Sequence, residues 1–355
     1  MILIKPKDNE FKESNRLNEV LIYSLSKIEY TLIESDIDLL KNIESLKNNK
    51  IIFAVNLGNT GINIMLFKIL RILREKHRLL ENSICGVIVD EMDELYTKAI
   101  GQDIIFTLNK AGAIVPGKSL IEGTKNLYNF KTLAGNYNKN LFATYKYQSK
   151  TMIDRLLNID INKLKKNHPK LLCVHASNSK TSNTYSLWNM VKEKLKDIDI
   201  KEINIRNGEV YDCIGCPFET CMHYSEEGSC FYGGVIVDEV YPAVEWCDGI
   251  VLVCPNYNDA LSANLQAFIN RLTSLYRKTS FCDKFLFSII VSGYSGSDIL
   301  ANQLISSMNI NKGFLLPSEF AMLETANKKG EIFSVSGIKK RIDDYAKKIE
   351  SYLKS

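Results

Sequence analysis

Short apolar runs alternate with amphipathic helical stretches along most of the chain. In the first half, apolar runs cover residues 50–56 and 83–90, and a helical pattern follows each of them. In the second half, residues 171–177, 249–255 and 284–293 repeat the arrangement. This alternation predicts an α/β protein with mainly parallel strands, because a helix returns the chain to the same edge of the sheet. We therefore expect doubly wound parallel sheets.

The length of the chain predicts two domains. A chain of 355 residues exceeds the size at which one hydrophobic core keeps growing. A Lys- and Asn-rich stretch ends at His168 and Pro169, and the residue before a proline is biased away from helix. We expect an N-terminal α/β domain over residues 1–160 and a second domain over residues 168–355. Residues 113–117 (AIVPG) are predicted as a further strand of the first domain.

The charge and hydropathy patterns exclude several classes of protein. A net charge of +4 spread along the chain is too small for a nucleic-acid-binding face. Eighteen consecutive apolar residues occur nowhere, so no transmembrane helix is expected. The N-terminal MILIKPKDNE lacks the long apolar core of a secretory signal. We expect a cytoplasmic protein without nucleic-acid or membrane partners.

Two segments of the chain share one local pattern. Residues 51–70 and 285–304 each read as an apolar strand, a glycine-bearing turn and a helix. The pattern suggests that the two domains are copies of one fold, although any two doubly wound domains would share it. The turn from Asn56 to Gly61 is a weak candidate for cradling a nucleotide phosphate, and a packing role is the alternative.

Three polar loops follow strands of the second half, where open parallel sheets bind their ligands. The loop of residues 176–184 (ASNSKTSNT) is rich in hydroxyls and amides and precedes a helix, which suits a phosphate monoester. The alternative is a solvated turn that caps the helix. In the second loop, Tyr257 offers a flat face for a ring system. In the third, Gly293 and Gly296 permit close backbone approach to a ligand.

Four of the nine cysteines lie within eighteen positions of one another. Cys213, Cys216, Cys221 and Cys230 have the spacing C-x2-C-x4-C-x8-C. An odd cysteine count in a reducing compartment argues against a disulfide framework. Thiolates are the soft ligands of iron–sulfur clusters and of zinc. The segment therefore predicts a [4Fe–4S] cluster or a zinc ion, and a loop without a metal is the third alternative.

These motifs together resemble a known family. HASNSKTSNT, the cysteine segment, CDGIVLVCPNYNDALSANLQAFINR and VSGYSG resemble the NADPH-dependent FMN reductase branch of flavodoxin-like proteins, including its iron–sulfur flavoproteins. The resemblance covers residues 170 to about 310. It implies a flavodoxin-like FMN-binding C-terminal domain, beside an N-terminal domain that is flavodoxin-like or Rossmann-like.

The resemblance also implies a set of cofactor-binding residues. The first loop would hold the FMN phosphate through Ser177, Ser179, Ser182, Asn183 and Thr184. The isoalloxazine would be flanked by Pro255, Asn256, Tyr257 and Asn258 of the second loop and by Ser292, Gly293, Tyr294 and Gly296 of the third. The chain departs from the family pattern at Ala176, Asn178 and Ser182, where glycine, proline and glycine are usual. The third cysteine interval is also longer than in iron–sulfur flavoproteins.

The resemblance implies an NAD(P)H-dependent FMN oxidoreductase. A nicotinamide would give hydride to the flavin, which passes electrons to a small-molecule acceptor, a protein acceptor or the cluster. No side chain stands out as a catalytic acid, base or nucleophile. One alternative is an electron carrier that docks protein partners through the flavin edge, and another is a non-catalytic interaction protein with a vestigial flavin site. A homo-oligomer, such as a dimer, is expected.

Overall fold

The computed structural model describes residues 1–10, 14–178, 180–206 and 210–355. These residues form two compact units, Met1–Ile159 and Asp160–Ser355. Each unit contains one five-stranded sheet in which every strand pair is parallel. The predicted α/β class and the doubly wound parallel sheets are therefore confirmed.

The first unit contains five strands and six α-helices among the described residues. The strands are β1 Ile2–Ile4, β2 Thr31–Ile33, β3 Lys50–Asn56, β4 Ile84–Asp90 and β5 Leu120–Gly123. The helices are α1 Asn15–Ser24, α2 Asp36–Lys41, α3 Ile64–Glu75, α4 Thr97–Lys110, α5 Lys131–Tyr137 and α6 Leu141–Asn158. The order across the sheet is β2-β1-β3-β4-β5, so the chain reverses its direction of travel between β1 and β3.

The second unit has the same plan. Its strands are β6 Lys170–His175, β7 Asp199–Asn204, β8 Gly249–Pro255, β9 Phe285–Ser292 and β10 Ala321–Thr325. Its helices are α7 Asn183–Lys192, α8 Phe218–Glu226, α9 Tyr241–Trp246, α10 Ala263–Lys278, α11 Ser297–Leu304 and α12 Ile338–Leu353. The order β7-β6-β8-β9-β10 is that of flavodoxin-like sheets, with the reversal between β6 and β8.

The central strands lie entirely within the core. Every residue of β4, β8 and β9 is buried, as expected for parallel strands that are covered by helices on both faces. Residues 50–56 and 249–255 were predicted as strands, and β3 and β8 have those bounds. Among the described residues, no helix is both long and apolar enough to cross a membrane.

The strand predicted over residues 113–117 is wrong. The fifth strand of the first sheet is instead β5, which begins at Leu120. Ile114 makes only an isolated bridge to Ile84. Pro116 cannot donate a ladder hydrogen bond, and Lys118 has a left-handed backbone with φ of 56°. The apolar run is buried, and Ile114 bonds to the main chains of Ser83 and Cys85 without forming an extended strand.

Equivalent features of the two units recur at a constant separation of 201 residues. The isolated bridge Ile84–Ile114 of the first unit has its counterpart in Phe285–Leu315 of the second. Gly112 and Gly313 have φ of 100° and 90°, while Lys118 and Glu319 have φ of 56° and 47°. These matches support a duplicated fold. By these matches, β4 is the counterpart of β9. The sequence pattern instead compared residues 51–70, which begin with β3, with residues 285–304, which begin with β9. Strands β3 and β9 are the third strand of the first unit and the fourth strand of the second, so they are not counterparts.

Candidate functional site

The candidate site lies at the carboxyl edge of the second sheet. The loops after β6 and β8 flank the point where the strand order reverses, and the loop after β9 is next to them. Ligands of doubly wound sheets bind at this switch point, because the helices that follow the two strands leave on opposite faces and open a crevice. Of the thirteen cofactor-binding residues predicted from the sequence, twelve lie in these loops, at the last positions of β8 and β9, or in the first turn of α7, and Ser179 lies outside the described residues.

The first loop contains a buried hydroxyl without a partner. Ser177 is 0% exposed, and its Oγ has no hydrogen-bond partner among the described residues. Ser182 caps α7, since its Oγ accepts a hydrogen bond of 3.2 Å from the Tyr185 N–H. Thr184 is buried in the first turn of α7. Ser179, a predicted phosphate ligand, lies outside the described residues.

Asn183 has a structural use that the sequence did not indicate. Its Nδ2 donates to the carbonyls of Ala326 and Lys328 at 3.1 and 2.8 Å, and its Oδ1 accepts from the Gly330 N–H at 2.9 Å. The side chain therefore ties the start of α7 to the loop after β10. Because both amide hydrogens are used there, any contact of Asn183 with a phosphate falls to its main-chain N–H.

A partly buried network behind the first loop was missed from the sequence. His175 Nδ1 accepts a hydrogen bond of 3.3 Å from the Ser177 N–H, so the ring proton lies on Nε2, which is 3.4 Å from Glu202 Oε1. Glu202 also accepts from Tyr185 Oη, Trp188 Nε1 and Lys192 Nζ at 2.7, 3.0 and 3.0 Å. These hydrogen bonds, with that of His175 the strongest influence, hold the pKa of Glu202 well below its usual range. The sequence signal that could have revealed this network is Glu202, an acidic residue within strand β7.

The second loop presents an aromatic ring on a tight turn. Pro255 is the buried last residue of β8. The main chains of Tyr257 and Ala260 exchange hydrogen bonds of 3.3 and 3.1 Å. Asn258 and Asp259 between them have positive φ of 54° and 58°, the geometry of a two-residue type I′ turn. The Tyr257 side chain is 54% exposed at this turn.

Hydrogen bonds join the second loop to the third. Asn256 Nδ2 lies 3.0 Å from Ser292 Oγ, 3.1 Å from Asp259 Oδ1 and 3.0 Å from the Ser295 carbonyl. Gly296 has φ of 83°, and a Cβ at that position would overlap the Asp259 carboxylate. The two loops therefore form one rigid rim, in which glycine is required at position 296.

Tyr294 stands at the outer side of this rim. Its side chain is 82% exposed, and its hydroxyl accepts a hydrogen bond of 2.6 Å from Asn327 Nδ2. A Cβ on the neighbouring Gly293 would lie 3.1 Å from Asn327 Oδ1. Asn327 thus fixes the tip of the third loop, while the Tyr294 ring remains available for contact.

The four clustered cysteines line one cavity of about 270 Å³ in the connection between β7 and β8. We call residues 210–235 the cysteine segment. Aromatic side chains form part of the cavity wall, namely Phe218, Tyr224, Phe231 and Tyr232. All four thiols are free. Within the described ranges, no three Cys, His, Asp or Glu side chains are grouped so as to hold a single metal ion.

Helix α10 supports the cysteine segment. Asn270 Nδ2 donates to Asp212 Oδ1 at 2.8 Å, and Ser274 Oγ donates to the Ser229 carbonyl. The same helix begins directly after the second polar loop. From Ala263 to Arg271 the helical rise amounts to about 12 Å. One rigid element therefore connects the switch-point crevice to the cysteine cavity.

The other cysteines differ in their surroundings. Cys85, Cys173, Cys247 and Cys254 are buried. Burial raises the pKa of the Cys247 and Cys254 thiols to about 12, so neither is a thiolate near neutral pH. Such burial is typical of cysteines that act as small core residues, whereas Cys282 is only half-buried.

The corresponding edge of the first unit has a cavity of about 810 Å³ beside the turn Asn56–Gly61. Asp8 Oδ2 accepts from the Ile64 N–H at 2.6 Å and so occupies the start of α3. Arg16 Nε donates to Asp90 Oδ2 at 2.9 Å. Its remaining N–H groups donate to the carbonyls of Glu91, Gly123, Thr124 and Lys125. A phosphate at this edge would therefore lie near the negative charge of Asp8. It would also find all N–H groups of Arg16 already used in hydrogen bonds within the fold.

Residues 169–328 match the sequence model of the NADPH-dependent FMN reductase family. The predicted resemblance to this family is confirmed for the second unit. The match supports an NAD(P)H-dependent FMN oxidoreductase, because it spans all three loops of the switch point. No protein of curated function matches the chain.

Two solved structures illustrate the similarity. An FMN-dependent NADH-azoreductase from Bacillus anthracis, in complex with FMN, is 12% identical over 51% of this chain and 99% of its own, with a TM-score of 0.35. An NAD(P)H:quinone oxidoreductase from Methanothermobacter marburgensis is 13% identical over 52% of this chain and 98% of its own, with a TM-score of 0.36. At these TM-scores, neither similarity bears on fold or function.

We predict that Glu202→Gln removes a pH-dependent contribution to the stability of the second unit. A carboxyl whose pKa is lower in the folded chain than in the unfolded chain stabilises the fold at neutral pH. That contribution is lost as the pH falls below the ordinary glutamate value of about 4.3. Thermal unfolding between pH 7 and pH 3 should show a wild-type advantage that shrinks with acidification.

The matched control is Glu193→Gln, which removes an exposed carboxyl from the same unit. Its melting temperature should follow that of the wild type at every pH. A difference between wild type and Glu202→Gln that stays constant from pH 7 to pH 3 would contradict the assigned role of the Glu202 charge.

Proposed function

We propose that the second unit binds FMN at its switch point and that the chain reduces this FMN with NADH or NADPH. The observation that carries the proposal is Ser177, whose buried Oγ has no partner among the described residues. A buried hydroxyl without a hydrogen bond is costly, so its presence at a ligand-binding edge is best explained by an absent ligand. The family match over residues 169–328 supports FMN as that ligand.

The residues of the first loop fit a phosphate. Helix α7 begins at Asn183, and its first N–H groups carry partial positive charge toward the loop. Ser177 supplies a buried donor, and His175 orients the Ser177 main chain from behind. Ser182 is committed to the helix cap, so we assign the side-chain contact to Ser177 and the remaining contacts to main-chain N–H groups.

The second and third loops fit the flavin ring. Pro255 and Asn256 lead into the rigid rim, and the exposed rings of Tyr257 and Tyr294 provide apolar surface for a planar heterocycle. Asn258 and Gly293 belong to the same two loops, so we assign them main-chain contacts to the ring. Both loops are held by internal hydrogen bonds, so little ordering is required when the ring binds.

The mechanism leaves the redox chemistry to the cofactor. When bound, FMN supplies the chemistry that accepts hydride from a nicotinamide. The chain would hold the phosphate at the first loop, orient the ring at the other two and exclude water with the buried carboxyl ends of β8 and β9. His175 is not placed to exchange protons with substrate, because both of its ring nitrogens are engaged within the fold.

We further propose that Cys213, Cys216, Cys221 and Cys230 of the cysteine segment would hold a [4Fe–4S] cluster, which would supply one-electron chemistry. All four cysteines line one cavity of about 270 Å³, which has room for a body larger than a zinc ion with sulfur ligands at about 2.3 Å. A multi-atom cluster needs four thiolates around a larger body, and four are present.

A second candidate function is an electron carrier that docks a protein partner. The exposed Tyr257 and Tyr294 side chains, at 54% and 82%, favour contact with another macromolecule at the flavin edge. A reductase and a carrier would use the same FMN site and differ in the source and destination of the electrons.

We predict that Ser177→Ala weakens FMN binding without destabilising the chain. A hydrogen bond to a charged group contributes roughly 1.5–3 kcal/mol, which corresponds to a loss of affinity of about ten- to a hundredfold. Titration of FMN fluorescence measures the affinity, and thermal unfolding without FMN measures the stability. Ser186→Ala is the control, since among the described residues the Ser186 hydroxyl bonds only to the Ser182 carbonyl. Equal FMN affinity for wild type and Ser177→Ala would contradict the assignment.

Reduction of bound FMN separates the candidate functions. The FMN-loaded chain is mixed anaerobically with NADPH, and in parallel with NADH, while the visible absorption of oxidised flavin is followed. Rapid loss of that absorption is expected for a reductase. Loss only after a partner reductase is added would support the carrier. A chain that does not bind FMN would overturn both.

Chemical analysis tests the cluster. We expect anaerobically prepared protein to contain iron and inorganic sulfide in equal amounts, together with a broad visible absorption beyond that of flavin. Cys216→Ser should lose both elements, whereas Cys282→Ala, which lies outside the cavity, should keep them. Protein that contains zinc but no sulfide would show that the site holds a single zinc ion. Protein that contains neither iron nor zinc would overturn the proposal.

A further inference from the structure

Arg271 is a buried cation in the wall of the cysteine cavity. It lies in the third turn of α10 and is only 2% exposed. It lines the cavity together with all four clustered cysteines. Its Nη2 donates to the Gly233 carbonyl at 2.7 Å, and Nη1 lies 3.4 Å from the Tyr211 carbonyl. The guanidinium therefore touches the cysteine segment on both sides of its thiols.

The charge of Arg271 is not compensated by the fold. Among the described residues no carboxylate forms an ion pair with it, and its Nε has no hydrogen-bond partner. A buried cation without an anion is unfavourable, because the removal of water from the charge is not repaid. Two carbonyl contacts offset part of this cost, so the arrangement calls for negative charge inside the cavity.

The thiols that line the cavity together with Arg271 would provide that charge when they bind a metal centre. Ligands to iron are thiolates, and a [4Fe–4S] cluster with four of them is an anion that gains one more negative charge on one-electron reduction. We propose that Arg271 is the counter-charge of the cysteine-bound centre and raises its reduction potential. This inference rests on the cluster proposed above and assigns Arg271 a positioning role, because it acts through charge and contact.

Arg277 offers a matched comparison on the same helix. It lines the same cavity, but its side chain is exposed and its guanidinium lies 5.0 Å from the centre of the Phe218 ring. Water screens an exposed charge far more than a buried one. The two arginines therefore separate the effect of a buried charge from that of positive charge near the cavity.

The experiment compares the full-length wild type with Arg271→Gln, Arg271→Lys and Arg277→Gln after anaerobic loading with iron and sulfide. Iron content is measured first, and the midpoint potential of the centre is then measured by redox titration. In Arg271→Gln we expect one-electron reduction to become at least tenfold less favourable, a fall of 59 mV for one electron. Arg271→Lys should retain most of the wild-type potential, and Arg277→Gln should change it far less.

Thermal unfolding with and without the centre distinguishes this role from a purely structural one. Arg271→Gln should lower the melting temperature of the loaded chain more than that of the metal-free chain, where the buried charge has no counter-ion. A fully loaded Arg271→Gln with the wild-type potential, or an equal loss of stability in both states, would overturn the inference. Wild type that takes up no iron would instead overturn the cluster, and the role of Arg271 with it.

Discussion

The burial of both faces of each parallel sheet is the constraint on which the rest of the structure depends. Strands β8 and β9 are buried along their whole length, so polar groups of these segments meet solvent or a ligand only beyond the strand ends. The reversal of strand order between β6 and β8 then opens a crevice where those ends meet. Ser177, Asn256 and Ser292 reach one edge of the sheet for this reason.

Helix α10 extends this arrangement to the cysteine segment. The helix begins at the second polar loop and carries Asn270, Arg271 and Ser274 toward the segment. Its apolar residues are buried, and the helix packs against α8, which belongs to the long connection between β7 and β8. The proposed flavin and cluster sites are thus fixed to opposite parts of one helix, which gives them a constant separation.

The first unit shows that the fold alone does not make the site. It has the same strand order and the same left-handed positions at equivalent residues. At its own sheet edge, however, every side-chain N–H of Arg16 donates a hydrogen bond to Asp90 or to a main-chain carbonyl. The Asp8 carboxylate accepts a hydrogen bond from the first N–H of α3. A duplicated architecture therefore carries different chemistry in its two copies, which is expected when function depends on side chains at the loops.

The sequence by itself determined the α/β class, the bounds of β3 and β8, the polar loops and the four clustered cysteines, because periodicity and residue type encode burial and chemistry locally. It misplaced a strand at residues 113–117, where a buried segment with one isolated bridge gives the same apolar signal as a strand. Only the tertiary structure decided that Asn183 ties a loop, that Ser177 lacks a partner, that His175 meets Glu202 and that Arg271 is buried beside the thiols. Each of these contacts depends on which distant segments become neighbours. The order of the strands in the sheet decides this, and a local sequence pattern does not reveal that order.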